Sequence, residues 1–317
     1  MNIKELTLGT ITLPSNVLMA PLAGYTCYPF RMMCTELGAG LCFMEMVSSN
    51  SLNYKDKATQ RIIFTTPEER IKALQLFGND PRIVETIACS EFMSGFDIID
   101  INMGCPVPQI FKSGSGSALM GDLRRASQLI RACKKSGKPV TVKTRVGLNE
   151  QHLIAAEFAR MCEDSGADMI TIHGRSRSMM YSGEPYFDQI EQAKSVVNIP
   201  VIANGGLNSV KDIERMMNLT GADGVMIGRY ALENPFIFSE LTHKKITKDK
   251  YKLLQEQIAL TSKYYDETFT LSYIKKITGF MMRGISGSKP LKQELYRCGN
   301  ISEIKEVMNR IFKGEMQ

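Results

Sequence analysis

The segment Asn102-Met103-Gly104-Cys105-Pro106 brings a side-chain amide and a thiol to the end of an apolar run. That run, Ile98-Ile99-Asp100-Ile101, has a single interruption and reads as a buried strand, which Gly104 and Pro106 stop abruptly. α/β folds carry their chemistry at the carboxyl ends of strands, and glycine on one side with proline on the other holds the thiol in a defined turn. A thiol with an ordinary pKa of about 8.5 is mostly protonated at neutral pH, so Cys105 could give a proton as well as attack. The same segment suits a buried structural cysteine, and the rest of the chain must decide.

Two glycine-bearing strand ends point to an anion. Val201-Ile202-Ala203-Asn204-Gly205-Gly206 ends in paired glycines, and Gly224-Val225-Met226-Ile227-Gly228-Arg229 ends in glycine and arginine. Glycine lets backbone N–H groups approach phosphate oxygens, and Arg229 would add a forked, permanently charged contact. Lys143 closes the apolar stretch Val140-Thr141-Val142, so its ammonium must face the mouth of the fold or find an anion. Beside a flavin ring it would stabilise negative charge on the reduced ring. In Thr171-Ile172-His173-Gly174-Arg175, His173 could bind a cofactor and Arg175 could reach substrate; the plainer role for His173 is a hydrogen-bonded wall residue. Gln75 offers an amide that donates and accepts, and Pro21-Leu22-Ala23 offers backbone groups. Glu45 is a carboxylate for which the sequence names no partner. The glycine- and serine-rich stretch 107–117 reads as a mobile lid carrying Lys112, and Tyr181-Ser182-Gly183 as a second rim loop.

Elements to position these residues recur along the first 230 positions. Short β-branched and apolar runs fall at 16–20, 41–44, 73–76, 98–101, 140–143, 169–173, 201–204 and 224–228, with helical segments at 29–37, 122–135, 152–165 and 210–219 between them. Gly38, Gly95, Gly137, Gly166 and Gly221 follow helices as C-terminal stops. Eight strands alternating with helices predict a (β/α)8 TIM barrel. No GxGxxG follows the first strand to favour a doubly wound sheet. The last strand positions, Pro21, Glu45, Gln75, Asn102, Lys143, His173, Asn204 and Gly228, would then converge on one rim. After about residue 234 the pattern becomes helical, at 246–265, 272–282 and 301–312 with a break at 284–290, which predicts a small C-terminal helical domain.

Composition agrees with a globular protein: 44% hydrophobic and 23% charged residues in 317. The first nine residues carry Lys4 and Glu5 with no long apolar core, so no signal peptide is expected, and no apolar stretch approaches the ~20 residues that cross a bilayer. Eight cysteines without a CxxC pair or a Cys/His cluster fit reduced thiols in a cytoplasm, with no metal site. Residues 241–317 hold 15 Lys+Arg against 8 Asp+Glu, whereas residues 1–240 hold 24 against 25. A basic tail on a near-neutral body suits a polyanionic partner, or else a solvated helical face.

Taken together, the motifs resemble those of the tRNA-dihydrouridine synthase family, nearest its bacterial B-type members. The resemblance runs from Ala20-Pro21-Leu22-Ala23-Gly24-Tyr25-Thr26 through Asp100-Ile101-Asn102-Met103-Gly104-Cys105-Pro106, Val142-Lys143-Thr144-Arg145, Ile172-His173-Gly174-Arg175 and Ala203-Asn204-Gly205-Gly206 to 221–229. The Asn-x-Gly-Cys-Pro turn is its most specific part; the phosphate motifs are shared with other flavin barrels. The resemblance implies FMN held by Pro21, Leu22, Ala23, Gln75, Lys143, His173, Asn204, Gly205, Gly206, Gly228 and Arg229, and reduced by NADPH. Hydride would pass to C6 of a tRNA uridine and Cys105 would protonate C5, with Asn102, Arg145 and Arg175 holding the uracil. Residues 1–240 would form the catalytic domain and 241–317 a tRNA-binding domain, with Lys275, Lys276, Arg283, Lys289 and Lys292 meeting the RNA backbone of a base flipped from its stack. Here Thr278-Gly279-Phe280-Met281-Met282-Arg283 departs from the family's more aromatic tail, and the chain has no Trp. A monomer is expected, for want of an obvious dimer seam. The alternatives are an FMN-dependent oxidoreductase acting on a free dihydropyrimidine such as dihydroorotate, against which the basic tail argues, and a non-catalytic RNA-binding barrel.

Overall fold

Residues along each strand alternate between two environments, and that alternation builds the barrel. In Val140–Arg145, Val140 and Val142 join the apolar layer beneath the outer helices, whereas Lys143 and Arg145 turn into the lumen and line its mouth. Ile99, Ile101 and Met103 likewise pack outward from Ile98–Met103, leaving Ile98, Asp100 and Asn102 inside. The computed structural model describes residues 2–53 and 57–314; the other positions, among them both outer limits of the expected domains, lie outside the described residues.

The parallel strands run in chain order around the ring: Val17–Met19, Leu41–Cys42, Ala73–Phe77, Ile98–Met103, Val140–Arg145, Met169–His173, Val201–Asn204 and Gly224–Ile227. The last pairs back onto the first, with Ile227 opposite Met19. The second strand is divided, which the sequence pattern did not suggest. Leu41–Cys42 pairs with the first strand, Val47–Ser48 pairs with the third, and a single bridge between Phe43 and Ala73 joins the two halves of the seam. The result is the expected (β/α)8 barrel. Below it, the hairpin Leu6–Leu8/Ile11–Leu13 inserts Leu6, Leu8 and Leu13 among Leu18, Phe43, Ile98, Met169, Ile202 and Met226, closing the amino-terminal end of the lumen.

Outer helices bury the expected stripe. Leu123–Lys134 is capped by Asp122, which accepts from the Arg125 N–H, and buries Ala126, Leu129, Ile130 and Cys133 at helical spacing. Each such Leu or Ile contributes about 1.5–3 kcal/mol by burial. The helix expected from residue 152 begins instead at Ala155, because His152–Leu153 pairs with Gly147–Asn149 as a small hairpin. Gly95 does not stop a helix: it ends a 3-10 turn, Glu91–Gly95, after the helix Pro81–Ala88.

Among its described residues the tail holds four helices, Lys250–Tyr264, Glu267–Met281, Ser288–Arg297 and Ile301–Phe312. The third lies partly in the expected break. Pro290 falls in its first turn, where a missing N–H costs no intrahelical bond. Helix Ile237–Thr242 runs across the expected division at residue 240. The tail is fastened to the first barrel helix by buried polar contacts: Tyr273 Oη donates to Gln257 Oε1 (2.6 Å), and Gln257 Nε2 donates to the Pro29 carbonyl (2.9 Å). An aromatic group of Tyr28, Phe64, Tyr264 and Tyr265 packs beside that joint. Among the described residues no helix is long and apolar enough to cross a membrane.

Candidate active site

One cavity of 410 Å³ opens at the carboxyl ends of the strands. Pro21, Leu22, Ala23, Gln75, Lys143, His173, Asn204, Gly205, Gly206, Gly228 and Arg229 line it, together with Asn102, Cys105, Arg145 and Arg175. The sheet register accounts for this convergence. Asn102 lies opposite Lys143, Arg145 opposite His173, and His173 opposite Asn204, so their side chains emerge on one face of adjacent strands. Glu45 is the exception among the expected rim positions. Its carboxylate accepts the Gly24 N–H (2.6 Å), the partner the sequence did not name, and burial pushes its pKa up.

Cys105 is half-buried. Burial pushes its thiol up, against the opposing pull of the Val107 N–H and the Arg145 and Lys143 charges, so the group is protonated at neutral pH. Asn102 holds the turn by accepting the N–H groups of Gly104 (3.2 Å) and Cys105 (2.9 Å) at Oδ1. Its Nδ2 donates to Gln75 Oε1 (3.0 Å) and, more weakly, to Met46 Sδ (3.5 Å). The 107–117 stretch is not an open loop. It forms a short helix, Pro108–Lys112, then folds back so that Ser117 Oγ donates to the Cys105 carbonyl (2.8 Å); Lys112 is exposed and does not line the cavity.

Four cations gather at the other side of the mouth. Lys143 Nζ is 3.3 Å from Asn204 Oδ1, and burial, helped by Arg145, lowers its pKa to about 8. Arg145 is also pulled down by burial, to about 10, and remains charged. Its guanidinium donates to the carbonyls of Gly104 (2.9 Å), Ser176 (2.8 Å) and Met180 (2.7 Å). Arg175 donates from two nitrogens to Gly183 O (2.9 and 2.7 Å) and its third nitrogen lies 3.4 Å from His173 Nε2. Arginine can only donate, so Nε2 accepts and the ring proton sits on Nδ1. Burial and the four surrounding cations hold His173 well below its ordinary 6.5, hence neutral. The Arg229 guanidinium lies 4.5 Å from the Tyr181 ring centroid and that of Arg145 5.5 Å.

Gly205 and Gly206 have φ of 108° and 70°. A Cβ on Gly205 would stand 2.5 Å from the His173 ring, and one on Gly206 would stand 3.0 Å from Pro185. Backbone therefore approaches the cavity where a side chain could not fit.

Among the described residues the tail contributes one side chain to the cavity, Phe280, whose ring meets that of barrel residue Tyr25 edge-on at 5.5 Å. Neither was singled out from the sequence, nor was Met46; a lone aromatic on an apolar helix carries no signal of its own. Lys275, Lys276, Arg283, Lys289 and Lys292 stay outside the cavity. Lys276 is exposed, with Nζ 6.0 Å from the Tyr25 ring centroid, and Arg283 stacks on Phe280 at 4.5 Å while pairing with Glu233. Lys275 donates to the Tyr296 carbonyl (3.2 Å), Lys289 is exposed, and Lys292 lies against Gly279. Among the described residues no group of three or more His, Cys, Asp or Glu is arranged to hold a metal ion.

A family model described as dihydrouridine synthase matches residues 18–315, barrel and tail alike. The chain belongs to the dihydrouridine synthase family. Curated dihydrouridine synthase relatives cover most of it. The tRNA-dihydrouridine synthase B of Pseudomonas syringae pv. tomato is 30% identical over 313 residues, 93% of each chain. That of Vibrio cholerae serotype O1 is 38% identical over 237 residues, 74% of each. Among solved structures, morphinone reductase in complex with tetrahydroNAD superposes with a TM-score of 0.53 at 14% identity, over 79% of this chain and 93% of that one, a likeness of fold. The chain is thus an enzyme of the dihydrouridine synthase family built on a (β/α)8 barrel.

Proposed function

We propose that this chain reduces specific uridines of tRNA to 5,6-dihydrouridine, with FMN in the mouth cavity, NADPH as electron donor and Cys105 as the acid. The observation that carries the reading is one cavity holding both a glycine–arginine cradle and a protonated thiol, in a chain of this family.

FMN joins a phosphate to a planar ring, and the residues present suit both ends. Gly205, Gly206 and Gly228 leave backbone open beside Arg229 for the phosphate. Neutral His173 and Asn204 would hold the cofactor from the wall, and Pro21, Leu22 and Ala23 would offer backbone groups. Gln75 keeps one Nε2 hydrogen for a ring edge, and the Lys143 ammonium would stabilise negative charge there. When bound, the flavin supplies the hydride for C6 of the uracil. Cys105 gives its proton to C5, so the C5–C6 double bond becomes single, and the thiolate left behind faces the charges of Arg145 and Lys143. Arg145 and Arg175 would hold uracil oxygens, and the weak Asn102–Met46 contact is the one a uracil carbonyl would replace.

Reaching a base in folded RNA requires flipping it out, at a cost of a few kcal/mol. The basic domain 241–317 would offset this through backbone contacts at Lys275, Lys276, Arg283, Lys289 and Lys292, with residues 1–240 as the catalytic domain. The enzyme would work as a cytoplasmic monomer.

The test is anaerobic: reduce the protein with NADPH, mix it with tRNA from cells lacking dihydrouridine, and follow the flavin absorbance. Rapid reoxidation with new dihydrouridine in the RNA is expected, and Cys105→Ala should keep flavin and its reduction but slow reoxidation by roughly 100-fold or more. A reduced flavin that tRNA leaves reduced, but a free dihydropyrimidine's oxidised partner reoxidises, would overturn the assignment of substrate.

A further inference from the structure

Asp100 is the single interruption in the apolar run 98–101, and it is completely buried below the cavity mouth. It does not line the cavity, so it touches neither substrate nor cofactor. A carboxylate this deep needs partners, and it has two donors: Thr141 Oγ1 at 2.5 Å on Oδ1 and Gln75 Nε2 at 2.6 Å on Oδ2. Burial raises its pKa to about 6, with Thr141, Gln75 and Lys143 pulling the other way, which leaves it ionised at neutral pH.

An ionised carboxylate can only accept, and this has consequences along a chain of side-chain amides. Gln75 must turn its NH2 toward Asp100. Its Oε1 then faces Asn102, which must answer with Nδ2 (3.0 Å). That in turn leaves Asn102 Oδ1 for the N–H groups of Gly104 and Cys105. Each amide alone could sit either way round; the charge at one end and the two backbone donors at the other agree on a single direction. Reversal at Asn102 would set an NH2 against two N–H groups and release the Cys105 turn.

We propose that Asp100 is a positioning residue, whose carboxylate sets the direction of the Gln75–Asn102 hydrogen-bond chain and thereby holds the Cys105 turn in its proton-delivering position. The inference rests on the role of Cys105 proposed above, but its first readout does not.

That readout is site-resolved alkylation of the free protein by iodoacetamide, with exposed Cys89 as the internal reference. In Asp100→Leu, which removes the acceptor, the Cys105/Cys89 rate ratio should change by about threefold or more, and in Asp100→Asn, which can still accept from Gln75, it should return partway to the parent value. In flavin-loaded protein, Asp100→Leu should slow reoxidation by tRNA by about tenfold while NADPH reduces the flavin at a rate within about twofold of the parent. A folded Asp100→Leu and a folded Asp100→Asn with the parent alkylation ratio would overturn the proposal, as would an equal slowing of both half-reactions. If the ratio shifts but the parent protein makes no dihydrouridine, the chain orders the thiol and the substrate assignment fails. If the parent makes dihydrouridine and neither the ratio nor reoxidation shifts, the substrate stands and Asp100 has no positioning role.

Discussion

Arg145 Nε donates to the carbonyl of Gly104 across 2.9 Å, one residue before Cys105, and so reaches from the fifth barrel strand to the turn at the end of the fourth. Its other bonds go to Ser176 and Met180, in the loop that carries Tyr181. One guanidinium thereby ties the thiol turn to the loop on the far side of its own strand.

Replacing Arg145 by Met should leave three carbonyls without their charged donor and lower stability by about 2–3 kcal/mol in urea unfolding. Arg145→Lys keeps charge but not the fork, so it should lose less stability while kcat on tRNA falls more than KM changes. A parent-like kcat in a folded Arg145→Lys would show that the fork does not govern the turn.

Lys143 has its pKa lowered to about 8 in the free protein. An anionic cofactor selects the charged form, so FMN affinity should be constant below that pH and fall by up to about tenfold per unit above it. Titrations of apoprotein with FMN from pH 6.5 to 9.5 should show this bend, and Lys143→Met should be weaker throughout and lack it.

His173 predicts the pH dependence of stability. The unfolded chain protonates this ring near 6.5, whereas burial and four cations keep the folded ring neutral to well below that value. Between those pH values the unfolded state binds more protons, so stability is complete above about 6.5 and falls with acidification, with a slope approaching about 1.4 kcal/mol per unit. Asp100 works in the opposite sense between its ordinary 3.8 and about 6, since its folded form binds the proton more readily. The comparison that isolates the histidine is His173→Asn against the parent at pH 7.5 and 5.5: the variant should lose less stability on acidification. An equal loss would assign the slope elsewhere.

At the tail, Lys276→Glu should weaken tRNA binding and reduce the salt slope by about one unit, because the side chain is exposed beside Tyr25 at the mouth. Lys275→Glu should weaken tRNA binding in the same way and also cost some stability through its lost bond to Tyr296. Binding curves at three salt concentrations, with the flavin spectrum as a control, test both.

Much of this arrangement was legible from strand ends, for a physical reason. A charged or amide residue closing an apolar run, as Lys143, His173 and Asn204 do, must point at a mouth, and parallel register then brings such residues together. Features made by contacts distant in sequence were not legible. The divided second strand depends on which neighbour Leu41–Cys42 and Val47–Ser48 each find, and Phe280 enters the cavity because Gln257 and Tyr273 dock the tail on Pro29. Pro290 misled because proline reads as a break unless it is known to occupy a first turn. Asp100 was visible as an interruption, but its meaning lies in Thr141 and Gln75, on the two neighbouring strands.

The hairpin that carries Leu6, Leu8 and Leu13 plugs one end of the barrel, and the cavity opens at the other. The buried polar layer of Asp100, Thr141 and Gln75 lies between that plugged end and the mouth, so a ligand seated in the mouth would act as a stopper. Beneath it, the charge on Asp100 would be fixed at the moment of loading, and hydrogens in that layer would exchange with bulk water only as often as the ligand lifts away.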